Sequence, residues 1–211
     1  MNKFVISTLA TTILLAGSGV GQSEAATVKN TTIIGYAGKD QAKKILNGYL
    51  KFDGMSVGDT VSKFSYNNNY ITDQDTRIMT TKDELEGGIG IADYQDNVAP
   101  NKQKITRIID LNPSKDYSRN NLLNKKLYGK PLKTFGPKEC GNSDIYVDFY
   151  KNVTLFYKRD YNKVTTLQGA VFFKNPSTKS QLKWQDYVRY NAECSIMWTR
   201  DVIDKYTWNS L

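Results

Sequence analysis

The chain has 211 residues, with 29 lysines and arginines, 21 aspartates and glutamates, and a net charge of +8 at pH 7. It contains no histidine, which excludes Ser-His-Asp and Cys-His catalysis and metal sites built on imidazole. Residues 26–118 carry twelve basic and twelve acidic side chains, whereas residues 119–211 carry sixteen basic and eight acidic ones. This asymmetry favours a polyanionic partner for the C-terminal half, with a solvated basic surface that binds nothing as the alternative.

Residues 1–25 have the three parts of a secretory signal peptide: a lysine, an apolar stretch over residues 4–20, and small residues ahead of a cleavage predicted before Ala26. The apolar stretch is short and glycine-rich near its end, so no membrane span is predicted. Ser18 stands where a lipoprotein would carry its lipid-bearing cysteine. We therefore expect a secreted protein, with loose association with the cell surface left open.

Residues 26–118 predict a first unit of helices followed by strands. One amphipathic helix is expected over residues 39–50, with Tyr49 on its apolar stripe, and a second over residues 56–64. After a polar stretch, two strands are predicted at residues 88–94 and 104–111.

The polar stretch places acids at positions 1, 3 and 12 of a possible calcium loop, starting at Asp73. Arg77 and Ile78 occupy its fifth and sixth places, where an oxygen ligand and a glycine are required. We interpret the stretch as a solvated acidic loop, and we expect neither a metal nor another cofactor.

Residues 119–174 predict a second, similar unit. A short helix at residues 118–127 precedes strands at residues 145–150, 153–158 and 164–173. Together the two units predict one α+β domain, an antiparallel sheet with helices on one face. This helix-plus-meander layout resembles the architecture of β-lactamase inhibitor protein, an analogy at the level of the fold.

Residues 175–211 form a predicted tryptophan-rich extension that opens with a short helix around residues 182–190. The protein has two cysteines, Cys140 and Cys194. In an exported protein we expect them to form a disulfide that ties the extension to the domain, with two reduced thiols as the alternative.

The first strand of the second unit alternates apolar and polar residues. Because Ile145, Val147 and Phe149 are expected to face the core, Asp144 and Asp148 are predicted on the opposite face. Two carboxylates suffice for glycosidic chemistry, but this pair is typical of an ordinary polar strand face. We therefore predict that the protein is not an enzyme.

Aromatic and basic residues are interleaved in the second unit. Aromatic faces beside lysine or arginine are what a groove for single-stranded nucleic acid requires, since bases stack and phosphates are attracted. The alternative is that the tyrosines pack against a helix or a partner protein. The candidate binding residues are Tyr146, Tyr150, Lys151, Phe156, Lys158, Arg159, Tyr161, Lys163 and Lys174.

Four short motifs, at residues 35–36, 51–55, 128–132 and 161–164, resemble those of the immunodominant staphylococcal antigen B family. The resemblance covers roughly residues 31–173. It implies a small secreted or surface-associated protein of Gram-positive cocci, associated with virulence and binding nucleic acid without sequence specificity. The acidic stretch 73–96, the two cysteines and the extension depart from the family pattern and would create a different binding surface.

These observations predict a secreted, non-catalytic, virulence-associated protein that binds a polyanion, extracellular DNA or RNA, without sequence specificity. The alternative is an immune-evasion factor that binds or inhibits a host protein. It would use the sheet face together with Trp184, Trp198 and Trp208, because exposed tryptophans commonly anchor interfaces.

Overall fold

The computed structural model describes residues 34–52, 54–65, 70–73, 78–81, 90–94, 98–110, 113, 117–124, 126–159, 161 and 163–191. The predicted signal peptide, the centre of the calcium-like loop, Cys194, Trp198 and Trp208 lie outside these residues. The expected disulfide therefore stays a prediction.

The described residues contain four α-helices and a short 3₁₀ helix at Pro100–Lys102. The α-helices are α1 (Lys39–Leu46), α2 (Ser62–Ser65), α3 (Arg119–Asn124) and α4 (Thr178–Asn191). The strands are β1 (Tyr70–Asp73), β2 (Ile78–Thr81), β3 (Gly90–Tyr94), β4 (Ile105–Asp110), β5 (Lys133–Cys140), β6 (Ser143–Phe149), β7 (Val153–Arg159) and β8 (Thr165–Phe172).

Within the described residues the strands form one antiparallel sheet of eight, in the order β1-β2-β3-β4-β8-β7-β6-β5. Strands β1 to β4 form one meander and β5 to β8 another, and the two meet where β4 pairs with β8. In chain order, α1 and α2 precede the first meander, and α3 precedes the second. The predicted α+β class with an antiparallel sheet is confirmed.

One face of the sheet is covered by α1 and α3. Ile45 of α1 and Leu122 of α3 share a buried cluster with Leu155, Tyr157 and Phe172. Because side chains alternate along a strand, Thr154 points to the other face. There its hydroxyl accepts a 2.9 Å hydrogen bond from the indole Nε1 of Trp184 in α4. The prediction that the helices lie on one face is therefore wrong for α4, and the centre of the sheet is buried on both sides.

The first helix is shorter than predicted, because Gly48 ends it. Gly48 has a φ of 72°, a left-handed conformation that glycine adopts without strain. Its N–H donates to the Ile45 carbonyl and the Tyr49 N–H to the Lys44 carbonyl, the hydrogen-bond pattern of a Schellman motif. Tyr49 therefore leaves the helix and is 66% exposed, not part of an apolar stripe.

The second helix was predicted over residues 56–64, and its predicted start is also wrong. The Ser56 N–H donates to the Asp59 carboxylate, and the N–H groups of Gly58 and Val61 donate to the carbonyls of Ile105 and Gln103. The chain here forms turns beside the start of β4, and helix α2 begins only at Ser62.

Three strands were missed by the sequence analysis: β1, β2 and β5. Strand β2 and the last residue of β1, Asp73, lie in the stretch interpreted as an acidic loop, so that interpretation is wrong for residues 73 and 78–81. Strand β5 contains Gly136-Pro137, and its pairing with β6 shifts in register between Phe135 and Lys138. A Cβ at Gly136 would lie 2.3 Å from the Ile145 carbonyl oxygen, so only glycine permits this close approach.

None of the helices that the structure describes combines the length and the apolar character needed to cross a membrane.

Candidate functional site

The structure separates the five predicted basic residues into two groups at opposite ends of β7. Lys151 lies in the β6–β7 turn and Lys174 follows β8 at the same end. Lys158, Arg159 and Lys163, together with the 73% exposed Tyr161, lie at or near the β7–β8 turn. A strand of this length separates the two ends by roughly 20 Å.

The predicted aromatic residues do not form an exposed platform. Tyr150 is 6% and Phe156 4% exposed. Because Tyr146 pairs with Tyr157, the neighbouring Phe156 lies on the opposite face of the sheet. Tyr146 is half-buried, with the guanidinium carbons of Arg119 and Arg159 at 5.0 Å and 5.7 Å from its ring centroid. The aromatic residues of the predicted groove therefore do not share one exposed face.

The two carboxylates of β6 share a face, as predicted, but it is the face that α1 and α3 cover. Asp148 is fully buried and accepts hydrogen bonds from Arg119 of α3 and from Thr134 of β5. Asp144 forms an ion pair with Arg159, whose side chain is 41% exposed. Asp148 is thus a structural anchor in the interior, whereas Ile145, Val147 and Phe149 face α4.

The basic residues at the β6–β7 end are held together by Asn152. Its side-chain amide donates to the Leu46 carbonyl at 2.8 Å and accepts from the Asn175 N–H at 2.6 Å. Its backbone carbonyl accepts from the Phe173 N–H at 2.8 Å. Asn152 is only 2% exposed, so these bonds are formed out of water. One amide therefore joins the end of α1, the β6–β7 turn and the segment after β8.

Glycine at position 48 makes this junction possible. A Cβ there would lie 3.3 Å from the Asn152 side chain, the Lys174 Cα and the Phe173 carbonyl oxygen. The turn that follows α1 therefore contacts the backbone of Lys174 directly. This turn also directs the Tyr49 side chain into solvent.

We call the group formed by Lys44, Tyr49, Lys151 and Lys174 the basic end. All four side chains are exposed. The three segments joined by Asn152, residues 43–49, 150–154 and 173–177, contain no aspartate or glutamate. The arrangement combines several cations with an exposed aromatic ring, which can attract phosphates and contact a base or sugar.

Lys151 and Lys174 were predicted as binding residues from the sequence, whereas Lys44 and Tyr49 were not. The sequence does contain a signal for Tyr49: Asn47-Gly48 is typical of the end of a helix, and a helix that ends there does not include Tyr49. The second group, around Tyr161, is separate from the basic end.

No group of three or more side chains able to hold a metal ion occurs within the part of the chain that the structure describes. Trp184, a predicted interface anchor, is 7% exposed and packs edge-on against Phe173 with ring centroids 5.7 Å apart.

No protein-family model matches the chain, and no curated protein matches it. Among solved structures it is similar to a DUF4309 family protein from Bacillus subtilis, with 11% sequence identity and a TM-score of 0.39. That likeness covers 66% of this chain and 99% of the other. Similarity at this level identifies neither a family nor a function.

Proposed function

We propose that the chain is a secreted, non-catalytic protein that binds a polyanion, extracellular nucleic acid, without sequence specificity, through the basic end. The observation that carries the proposal is the Asn152 junction, which joins the segment of Lys44 and the 66% exposed Tyr49 to the segments of Lys151 and Lys174. Lysine ammonium groups contact phosphates as point charges and do not read bases, which accounts for the lack of sequence specificity.

Export is part of the proposal, and the predicted signal peptide supports it. The resemblance to the immunodominant staphylococcal antigen B family supports an association with virulence. The alternative of a host-protein inhibitor loses one of its three tryptophan anchors, because Trp184 lies in the interior.

We also propose that the two halves are variations of one helix-plus-meander unit, as in β-lactamase inhibitor protein. The strand order supports this, since each half contributes four consecutive strands and the last strands of both halves pair. In this arrangement the basic end belongs to both units, because α1 comes from the first and the β6–β7 turn from the second.

Fluorescence anisotropy with labelled DNA across a salt series tests the proposed binding. Affinity should fall steeply with salt, with a log–log slope of about −0.9 for each duplex phosphate neutralised. The variant Lys44→Ala/Lys151→Ala/Lys174→Ala should bind DNA of every sequence weakly, and the magnitude of its log–log salt slope should fall by about 2 to 3.

The matched control is Lys138→Ala/Lys158→Ala/Lys163→Ala, which removes the same charge from the opposite end of the sheet. It should keep most of the affinity and the slope. Equal losses in the two triple variants would mean that net charge alone binds DNA, and absence of binding at low salt would remove the proposal.

A further inference from the structure

The connection between α3 and β5 brings two further lysines to the end of the sheet that carries Lys151. Lys130 lies in this connection and Lys133 begins β5, and both are exposed. The Leu132 N–H donates to the Phe149 carbonyl at 2.8 Å, and Lys133 pairs with Phe149, the last residue of β6. Lys133 therefore lies beside the start of the β6–β7 turn, which contains Lys151.

A buried tyrosine fixes this connection to the same turn. Tyr128 is 3% exposed, and its hydroxyl donates to the Tyr36 carbonyl at 3.0 Å. Its ring packs against the ring of Tyr150 with centroids 5.7 Å apart, and Tyr150 directly precedes Lys151. The backbone of Lys130, two residues after Tyr128, is therefore held near the β6–β7 turn.

Four lysines follow the order of the strands at this end of the sheet, where β8, β7, β6 and β5 are consecutive neighbours. One follows β8, one lies between β6 and β7, and two lie at or just before the start of β5. Neighbouring strands lie about 4.8 Å apart, so the distance from β8 to β5 is roughly 14 Å. We call these residues the lysine row: Lys174, Lys151, Lys133 and Lys130.

The segments that carry the lysine row are free of acidic residues. Residues 126–138 contain no aspartate or glutamate, as is also true of the segments that Asn152 joins. Asp148, one residue before Phe149 on β6, is fully buried, and Arg119 neutralises it from α3. The row is therefore a line of like charges, and a bound polyanion would relieve their mutual repulsion.

We propose that the nucleic-acid site continues from the basic end along the lysine row, so that one nucleic-acid backbone runs across the ends of β8, β7, β6 and β5. The inference rests on the proposed function and adds Lys130 and Lys133 to its binding residues. Each strand of a duplex carries one phosphate for every 3.4 Å of helix axis, so a stretch of about 14 Å presents about four phosphates. The lysine row offers four ammonium groups over the same length, and such contacts position the backbone without reading the bases.

The main test compares two pairs of lysines, one from each end of the sheet. Lys130→Ala/Lys133→Ala shortens the lysine row, and the control Lys138→Ala/Lys158→Ala removes the same charge from the opposite end. Fluorescence anisotropy with labelled duplex DNA at about 50 to 200 mM salt measures both variants. In Lys130→Ala/Lys133→Ala the magnitude of the log–log salt slope should fall by about 2, so the loss of affinity over this salt range should be about tenfold smaller than in the wild type. The control should keep the wild-type slope.

A second pair of variants inserts a charge instead of removing one. Leu132 is 63% exposed between Lys130 and Lys133, and Val164 is 52% exposed near the β7–β8 turn, at the opposite end of the sheet. Leu132→Glu should weaken DNA binding severalfold, because its carboxylate repels phosphates and attracts the neighbouring ammonium groups. Val164→Glu should bind DNA nearly as the wild type does. Thermal unfolding of both variants should match that of the wild type, because both side chains lie at the surface.

Acetylation of the wild-type protein locates the contacts directly. A lysine that DNA covers reacts more slowly with an acetylating reagent, and mass spectrometry measures the rate at each lysine. The four members of the lysine row should be protected together, whereas Lys138 and Lys158 should stay as reactive as in the free protein.

Protection of Lys151 and Lys174 without Lys130 and Lys133, together with a wild-type slope in Lys130→Ala/Lys133→Ala, would overturn the inference and leave the proposed function intact. Equal losses in this variant and its control would also overturn the inference, because net charge would then account for the binding. Absence of binding by the wild-type protein at low salt would instead remove the proposed function itself.

Discussion

Arg119 and Asp148 form a two-pronged ion pair between helix α3 and strand β6. The Arg119 Nε lies 2.8 Å from Oδ2 of Asp148, and its Nη2 lies 2.7 Å from Oδ1. The hydrogen bonds to Asp148 raise the pKa of Arg119, so the guanidinium keeps its charge beside the fully buried carboxylate. The Thr134 hydroxyl donates to the same carboxylate from β5 at 2.8 Å. One buried anion thus ties α3, β5 and β6 together.

Removing this anion should cost far more stability than removing its neighbour on the same strand. Asp148→Ala leaves a largely buried guanidinium without its partner and should lower the free energy of unfolding by about 3 kcal/mol or more. Asp144→Ala breaks a partly exposed pair and should cost about 1 kcal/mol or less. Urea denaturation of both variants measures the difference, and equal losses would contradict the assignment of Asp148 as the anchor.

The strands of the second unit were predictable because their side chains alternate clearly. Strands β6, β7 and β8 lie within two residues of their predicted bounds. The shared face of Asp144 and Asp148 was also predictable from a period of two. The identity of that face was not, because β6 is buried on both sides and its apolar residues pack towards α4. Which face of the sheet holds Asp148 depends on its ion pair with Arg119, a residue 29 positions earlier in the chain.

Strand β5 escaped prediction because it carries Gly136-Pro137 and charged residues, which are typical of loops and of sheet edges alike. The basic end was only half predictable. Lys151 and Lys174 were found from their charge, but their proximity to α1 depends on Asn152 bonding a residue 106 positions away. No local pattern encodes a contact of that range.

The Asn152 junction should matter for both stability and binding. Asn152→Ala removes the bonds to the Leu46 carbonyl and the Asn175 N–H and should lower the free energy of unfolding by about 2 kcal/mol. DNA affinity should fall as well, although no charge is lost, because α1 and the Lys174 segment are no longer joined. Denaturation and anisotropy measure the two effects. Asn142→Ala, at an exposed turn residue, is the control and should change neither.

Two buried tyrosines should respond in opposite ways to loss of the hydroxyl. The Tyr36 hydroxyl donates to the buried Asp110 carboxylate at 2.6 Å, so Tyr36→Phe should destabilise the fold by about 1 to 3 kcal/mol. The Tyr157 hydroxyl is buried and has no hydrogen-bond partner among the described residues, so Tyr157→Phe should be neutral or stabilising by about 1 kcal/mol. Thermal unfolding of both variants checks the contrast. A clear loss of stability in Tyr157→Phe would mean that its hydroxyl is bonded, for instance to an internal water.

The same tyrosines should make the protein sensitive to alkali. Burial raises the pKa of Tyr36, Tyr128, Tyr150 and Tyr157 above the usual value for tyrosine. Below about pH 10 both the folded and the unfolded chain hold these protons, so stability does not depend on them. Above about pH 10 the unfolded chain releases protons that the folded chain retains. Since the unfolded state then binds fewer protons, the free energy of unfolding falls as pH rises.

For each proton that the folded chain retains, the free energy of unfolding should fall by at most about 1.4 kcal/mol per pH unit. Urea denaturation at about pH 8 to 11 measures the slope, and the ultraviolet absorbance of tyrosinate reports ionisation. Tyrosinate from the buried rings should appear together with loss of the far-ultraviolet circular dichroism. Tyr157→Phe removes one of the buried titrating groups. The slope of the free energy of unfolding against pH should therefore decrease by the contribution of about one proton. Ionisation of these rings well before unfolding would show that they are accessible to water in the folded state.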